Sequence, residues 1–120
     1  VAALFAVPDN VLASLAPKSV TAGVAMGIAE QFGGQPALTA VLVVTTGLIG
    51  AIIVTPLMNA LGLKDYAARG FAAGLSAHGI GTARAFVVDE VAGTFAGIAM
   101  ALNAVMTALI LPLILYWFLT

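Results

Sequence analysis

The sequence lacks several of the groups on which enzymes and nucleic-acid-binding proteins depend. It has no cysteine and only one histidine, which excludes thiol catalysis, disulfides and cysteine-ligated metals and argues against a multi-histidine metal site. Four Lys and Arg residues against five Asp and Glu residues give a formal net charge of −1, so there is no basic surface for nucleic acid. We therefore expect no metal, no cofactor, no nucleic-acid partner and no catalytic residues.

Charge is also too scarce for a water-soluble fold. Only 8% of the residues are charged and 62% are hydrophobic, whereas a soluble domain is typically about 25% charged. So few charged side chains cannot cover the surface of a 120-residue core. The fold class predicted is therefore all-α: a polytopic transmembrane helical protein in which residues 1–120 form a single transmembrane domain.

Two uninterrupted apolar runs predict two transmembrane helices. Residues 36–61 and 91–119 contain no charged residue, and each run exceeds the ~20 residues that cross a bilayer. Two further stretches, residues 10–29 and 70–88, are just long enough to span once, but polar and glycine-rich breaks interrupt them. We predict about four crossings, two of them by interrupted (broken) helices.

The distribution of charge predicts an orientation. The loop after the first apolar run carries Lys64 and Arg69, whereas the opposite turns carry Glu30, Asp89 and Glu90 without Lys or Arg. The positive-inside rule then places Lys64, Arg69 and the C-terminus in the cytoplasm, and the acidic turns outside.

A weak internal repeat accompanies this pattern. An offset of 60 residues aligns Glu30 with Glu90, and residues 9–62 and 69–119 each show a turn, an interrupted span, an acidic turn and a long apolar run. Transporters are often built from such structural repeats.

The first break surrounds Pro17 and Lys18. Pro17 lacks an amide donor and clashes with the preceding turn, so a helix should end before it. Ser19 or Thr21 can cap a new helix, whose free amides and dipole favour an anion beside the charge of Lys18.

The second break covers residues 76–84. Gly79 and Gly81 permit backbone conformations that a helix does not use, and Thr82 can cap the next helical segment, with Arg84 after it. His78 can change its charge near physiological pH and so couple transport to protons. The predicted substrate-binding residues of the two breaks, suited to a small carboxylate, are Lys18, Ser19, Thr21, His78, Gly79, Gly81, Thr82 and Arg84.

Other interpretations of these residues stay open. Arg84 can be a residue that extends to the membrane interface, and His78 can be a neutral residue that hydrogen-bonds between helices. Asn103, in the middle of the second apolar run, is interpreted as a polar contact between helices.

The ordered combination of short motifs resembles the LrgB/CidB family. The similarity extends from about residue 15 to 112, and family members are about twice as long, so the chain resembles their C-terminal half. Two departures stand out: Ala22-Gly23 replaces an expected Thr-Pro pair, and Ala77 replaces a serine that is usual before the histidine. The motifs are Pro17-Lys18-Ser19-Val20-Thr21, Gly34-Gln35-Pro36-Ala37-Leu38-Thr39-Ala40, His78-Gly79-Ile80-Gly81-Thr82-Ala83-Arg84-Ala85 and Glu90-Val91-x-Gly93-x-Phe95-x-Gly97.

The resemblance implies a multi-pass protein of the bacterial inner membrane. Bacterial members are described as antiholin-like or holin-like proteins that act with an LrgA/CidA partner to modulate murein hydrolase activity and autolysis. A plastid relative is a glycolate/glycerate translocator, and the bacterial pair has been linked to pyruvate. We therefore predict a secondary transporter of small carboxylates, with control of autolysis as its cellular role.

Two alternatives differ in class. A holin-like pore or regulatory protein without a specific substrate would form homo-oligomers through glycine-rich helix faces. An intramembrane enzyme would need His78 to act as a base for Ser76 or Ser19. Ser76 and His78 face different ways on a helix, which disfavours the enzyme.

Overall fold

The computed structural model describes residues 6–119, which form five α-helices and no strand. The all-helical prediction is confirmed for this range, while residues 1–5 and residue 120 of the predicted domain 1–120 lie outside it. The helices are α1 (Asp9–Leu15), α2 (Ala22–Gln31), α3 (Pro36–Ala60), α4 (Tyr66–Val88) and α5 (Glu90–Leu119).

The two longest helices, α3 and α5, correspond to the two apolar runs. Both are long and apolar enough to cross a membrane, and most of their large apolar side chains are exposed. Pro36 occupies the first turn of α3, where its missing amide donor is not needed. The Asp89 carboxylate caps α5 by accepting hydrogen bonds from the amides of Val91 (2.8 Å) and Ala92 (3.2 Å).

Helix α4 does not run straight, because its backbone leaves the helical conformation at Ala77 and His78. His78 has φ 40° and ψ −129°. Beyond this point the chain returns, since Ala73 and Ala85 belong to one buried cluster with residues of α5. In a straight helix the 12 residues between Ala73 and Ala85 would separate them by about 18 Å. Residues 66–76 and 79–88 are therefore two arms of a helical hairpin.

Small residues let the two arms approach. A Cβ atom on Gly81 would lie 2.6 Å from the Cβ of Ala77 and would overlap the carbonyl of Ala73, eight residues earlier. The first arm also packs closely along α5, because Cβ atoms on Gly70 and Gly74 would overlap backbone atoms of α5. Close packing, rather than special backbone freedom, is the reason for glycine at these three positions.

The hairpin begins and ends at the same end of the bundle. We call the end where α3 begins, near Pro36, the upper end, and the end where α3 finishes, near Ala60, the lower end. Gly70 packs against Ala92, so α5 begins at the lower end, beside the base of the first arm. Glu90 therefore lies at the same end as Arg69, although we expected it at the opposite end.

The four predicted crossings are accordingly not confirmed. Residues 70–88 form two half-length arms, not the single interrupted crossing that the sequence predicts. One interrupted crossing and a hairpin of two short arms can have the same number of apolar residues, so hydropathy does not distinguish the two arrangements. Among residues 6–119, α3 and α5 are the two helices of spanning length.

The segment before α3 also enters the bundle and returns. Ser14 lies at the upper end, where its hydroxyl accepts a hydrogen bond from the Gln35 amide (2.7 Å) and its carbonyl accepts one from the Thr39 hydroxyl (3.1 Å). Val20 lies deeper and packs with Val43 of α3. Helix α2 then leads back to the upper end, where α3 begins.

Candidate functional site

One side chain of α5 joins the two interrupted segments. The Asn103 Nδ2 atom donates to the carbonyl of Ser19 (2.8 Å) and to the carbonyl of Leu75 (3.3 Å), and the Thr107 hydroxyl donates to Asn103 Oδ1 (3.3 Å). The turn that follows the first arm leaves the last carbonyls of that arm without amide partners in the helix. Asn103 donates a hydrogen bond to one of these carbonyls, that of Leu75. The prediction that Asn103 forms polar contacts between helices is confirmed.

His78, at the tip of the hairpin, is buried against α3. Its Nε2 atom lies 2.9 Å from the carbonyl oxygen of Val43, which can only accept, so Nε2 carries a proton and donates. The ring fits because residue 47 is glycine: a Cβ there would lie 2.6 Å from His78 Cε1. The contact agrees with the interpretation of His78 as a residue that hydrogen-bonds between helices.

The glycines and threonine of the second break act differently from the prediction. The positive φ belongs to His78, not to Gly79 or Gly81, so the prediction that these glycines supply the unusual backbone conformation is wrong. The Thr82 hydroxyl donates to the His78 carbonyl (2.8 Å) and contacts Met100 Sδ (3.9 Å), so it does not cap the second arm. Thr82 instead fixes the turn to its own arm and to α5.

The first break places a cation beside a helix start. Lys18 is half-buried, and its Nζ donates to the Ser19 hydroxyl (3.3 Å). Thr21 occupies the N-cap position of α2, but its side chain makes no capping hydrogen bond. The amides of residues 22–24 accordingly have no acceptor within the described part of the chain. This region combines unpaired donors, the positive end of the helix dipole and a lysine.

Arg84 is not brought to the two tips. It lies about 9 Å along the second arm from His78, towards the lower end, and is exposed. There it lines a pocket together with Arg69. The return of the chain at Ala77 and His78 carries it away from Lys18, so its predicted place in the carboxylate site has no geometric support.

Ser76 does not meet His78 in the way that a hydrolytic centre would require. The Ser76 hydroxyl is exposed and donates to the carbonyl of Ala72 (2.7 Å), whereas His78 faces Val43. Within residues 6–119 there is also no group of three or more His, Asp and Glu residues that could hold a metal ion.

The two long apolar helices, α3 and α5, are typical of an α-helical membrane protein. The LrgB-like family matches residues 1–117 of the chain. The chain belongs to this family.

Several curated proteins are similar over most of the chain. It is 42% identical to the uncharacterized protein YwbG of Bacillus subtilis over 102 residues, which cover 85% of the chain and 45% of the relative. It is 34% identical to the holin-like protein CidB of Staphylococcus epidermidis, with 96% of the chain and 50% of the relative covered. For CidB of Staphylococcus aureus the identity is 32%, with coverages of 95% and 50%. The chain thus spans about half the length of these relatives, and no solved structure matches it.

Proposed function

We propose that the chain forms half of a membrane transporter for small carboxylates. The observation that carries this proposal is the pair of hydrogen bonds from Asn103 to Ser19 and Leu75, which join segments entering the bundle from opposite ends. Irregular backbone at membrane depth is tolerated where protein encloses it or where it lines a cavity. Binding sites of transporters are commonly formed at such interrupted helices near the bilayer midplane.

The proposed topology has two crossings, by α3 and α5, and two re-entrant segments. Helix α3 runs from the upper to the lower end, and α5 runs in the opposite direction. Residues 9–62 and 69–119 are then an inverted-topology repeat, an arrangement from which many transporters are built. Since Lys64, Arg69 and Arg84 all belong to the lower end, the positive-inside rule assigns that end to the cytoplasm of the bacterial inner membrane.

The proposed carboxylate site lies at the start of α2. The unpaired amides of residues 22–24 and the charge of Lys18 supply donors for an anion such as glycolate, lactate or pyruvate. Thr21 contributes a hydroxyl group that makes no capping bond, and Ser19 contributes the O–H of a hydroxyl that already accepts from Lys18 Nζ. His78 supports the site from the opposite segment. Modulation of murein hydrolase activity and autolysis, together with an LrgA/CidA-like partner, is the cellular role that we propose from the family resemblance.

Uptake into proteoliposomes by the full-length protein tests the carboxylate site. Lys18→Met keeps most of the apolar stem and removes the charge, so uptake should fall at least tenfold, which corresponds to about 1.4 kcal/mol. Lys64→Gln is the matched control, because it removes the same charge from an exposed loop residue and should leave uptake nearly unchanged.

A holin-like pore is the second candidate, favoured by the name of the CidB relatives. Gly23 and Gly27 of α2 are exposed, and a Cβ atom on either would meet nothing within 4 Å, so this face is open to a second subunit. A pore would pass uncharged solutes as readily as carboxylates. Equal uptake by Lys18→Met and Lys64→Gln proteins at matched expression would refute the anion site and favour the pore.

A further inference from the structure

The hairpin of α4 creates a pocket with two arginines at the lower end. Arg69 on the first arm and Arg84 on the second line it, together with Tyr66. In a straight helix these arginines, 15 residues apart, would be separated by about 22 Å. The remaining wall is mainly apolar and includes Val54 and Met58 of α3. The pocket thus exists only because α4 returns on itself.

Neither arginine is paired with a carboxylate among residues 6–119. Arg69 donates to two uncharged groups, the Asn59 side-chain oxygen (2.8 Å) and the Leu63 carbonyl (3.4 Å). Arg84 has no hydrogen-bond or ion-pair partner among residues 6–119. A guanidinium group has five N–H donors, so Arg69 retains three for a ligand and Arg84 retains all five.

Two carboxylates of the lower end, those of Asp65 and Asp89, are engaged elsewhere. The Asp89 carboxylate accepts from the amides of Val91 and Ala92, and the Asp65 carboxylate accepts from the amide of Ala67 (3.0 Å). Both acids therefore cap helix starts instead of pairing with Arg69 or Arg84.

We infer that this pocket binds the phosphate group of an anionic phospholipid. Two guanidinium groups provide planar, paired donors that suit phosphate oxygens, and Tyr66 also lines the pocket. The apolar wall formed by α3 suits the glycerol and acyl region of a lipid better than it suits a free inorganic ion. Basic pockets between membrane helices on the cytoplasmic side are known to accept lipid headgroups. This site does not depend on carboxylate transport.

Lipid titration of the purified full-length protein tests the proposal, with native mass spectrometry counting bound lipids. Phosphatidylglycerol should bind the unmodified protein at least about tenfold more tightly than phosphatidylcholine. Arg84→Gln should weaken phosphatidylglycerol binding about tenfold, and Arg84→Lys should weaken it less because the charge remains. Because Arg84 has no partner in the described range 6–119, its replacement should leave the fold intact.

Lys64→Gln is the control, since it removes a positive charge from the same end but from outside the pocket. It should change the affinity less than twofold. Equal losses of phosphatidylglycerol affinity in Arg84→Gln and Lys64→Gln would mean that the lipid is held by diffuse electrostatic attraction, which would overturn the site. Inorganic phosphate that displaces phosphatidylglycerol at equal concentration would overturn the assignment to a lipid.

Discussion

Six residues, 16–21, lie between the end of α1 and the start of α2, whereas in α4 only two residues, Ala77 and His78, leave the helical conformation. The first interruption is held by local turns, in which the amides of Lys18 and Val20 donate to carbonyls three residues earlier. The second has a residue in an unfavourable conformation, His78 with positive φ, which typically costs about 1–3 kcal/mol. The surrounding packing must offset that cost.

The two interruptions differ in what prevents a continuous helix. At Pro17 the missing amide and the ring itself prevent a continuous helix, so the interruption is encoded locally. At His78 nothing in the chain forbids a helix, and the turn persists because the two arms pack on each other and on α5. Perturbing that packing should therefore affect the second interruption much more than the first.

The largest effect is expected for Gly81→Val. The added side chain would overlap the carbonyl of Ala73 and the Cβ of Ala77, so the two arms must separate. We expect the full-length protein to lose about 3 kcal/mol of stability, measured by unfolding in detergent. Gly79→Ala is the control, since its Cβ would meet only Met100 Sδ at 3.9 Å and should be tolerated. Equal stability of the two variants would show that the arms do not touch.

A smaller effect is expected for Asn103→Leu, which removes the link between the two interruptions. Hydrogen bonds between membrane helices contribute about 0.6–1.7 kcal/mol each, so loss of both bonds should destabilise the junction by a few kcal/mol at most. The sharper measurement is the distance between spin labels attached to cysteines introduced at positions 16 and 76. Both positions are exposed, and the 120-residue sequence contains no other cysteine that would be labelled. Asn103→Leu should broaden that distance distribution, whereas Thr107→Val should leave it narrow. An unchanged distribution in Asn103→Leu would mean that Asn103 is not the link.

The smallest effect is expected for Thr21→Ala at the start of α2. Replacing a capping residue by alanine usually costs about 1 kcal/mol, but the Thr21 hydroxyl makes no capping bond, so the loss in stability should be below about 0.3 kcal/mol. Asp89→Ala removes a carboxylate that accepts two amides of α5 and should cost about 1 kcal/mol. Similar losses in both variants would contradict the difference in capping.

The sequence alone was enough to predict the features that have a local cause. The two long apolar helices follow from runs of more than about 20 uncharged residues, and the end of α1 at Leu15 follows from Pro17. Asn103 stands out as a polar residue within an apolar run. Its partners could not be predicted, because the carbonyls of Ser19 and Leu75 are backbone groups that any residue carries.

The return of α4 has a non-local cause and was missed. The sequence feature that accompanies this return is a stripe of four small residues at intervals of four: Ala73, Ala77, Gly81 and Ala85. All four are buried. Such a stripe allows two helices to approach closely, but it is equally compatible with one straight helix against a neighbour. The position of Arg84 depends on that return, so the sequence alone could not place Arg84 at the lower end.

The planar amide of Asn103 has a mechanical consequence. Its two N–H bonds are fixed at one angle in one plane, so they cannot be re-aimed separately. A displacement of the Ser19 carbonyl that rotates this plane must also shift the donor that serves Leu75. A displacement that arises in the segment entering from one end of the bundle would thereby reach the segment entering from the other end through a single side chain.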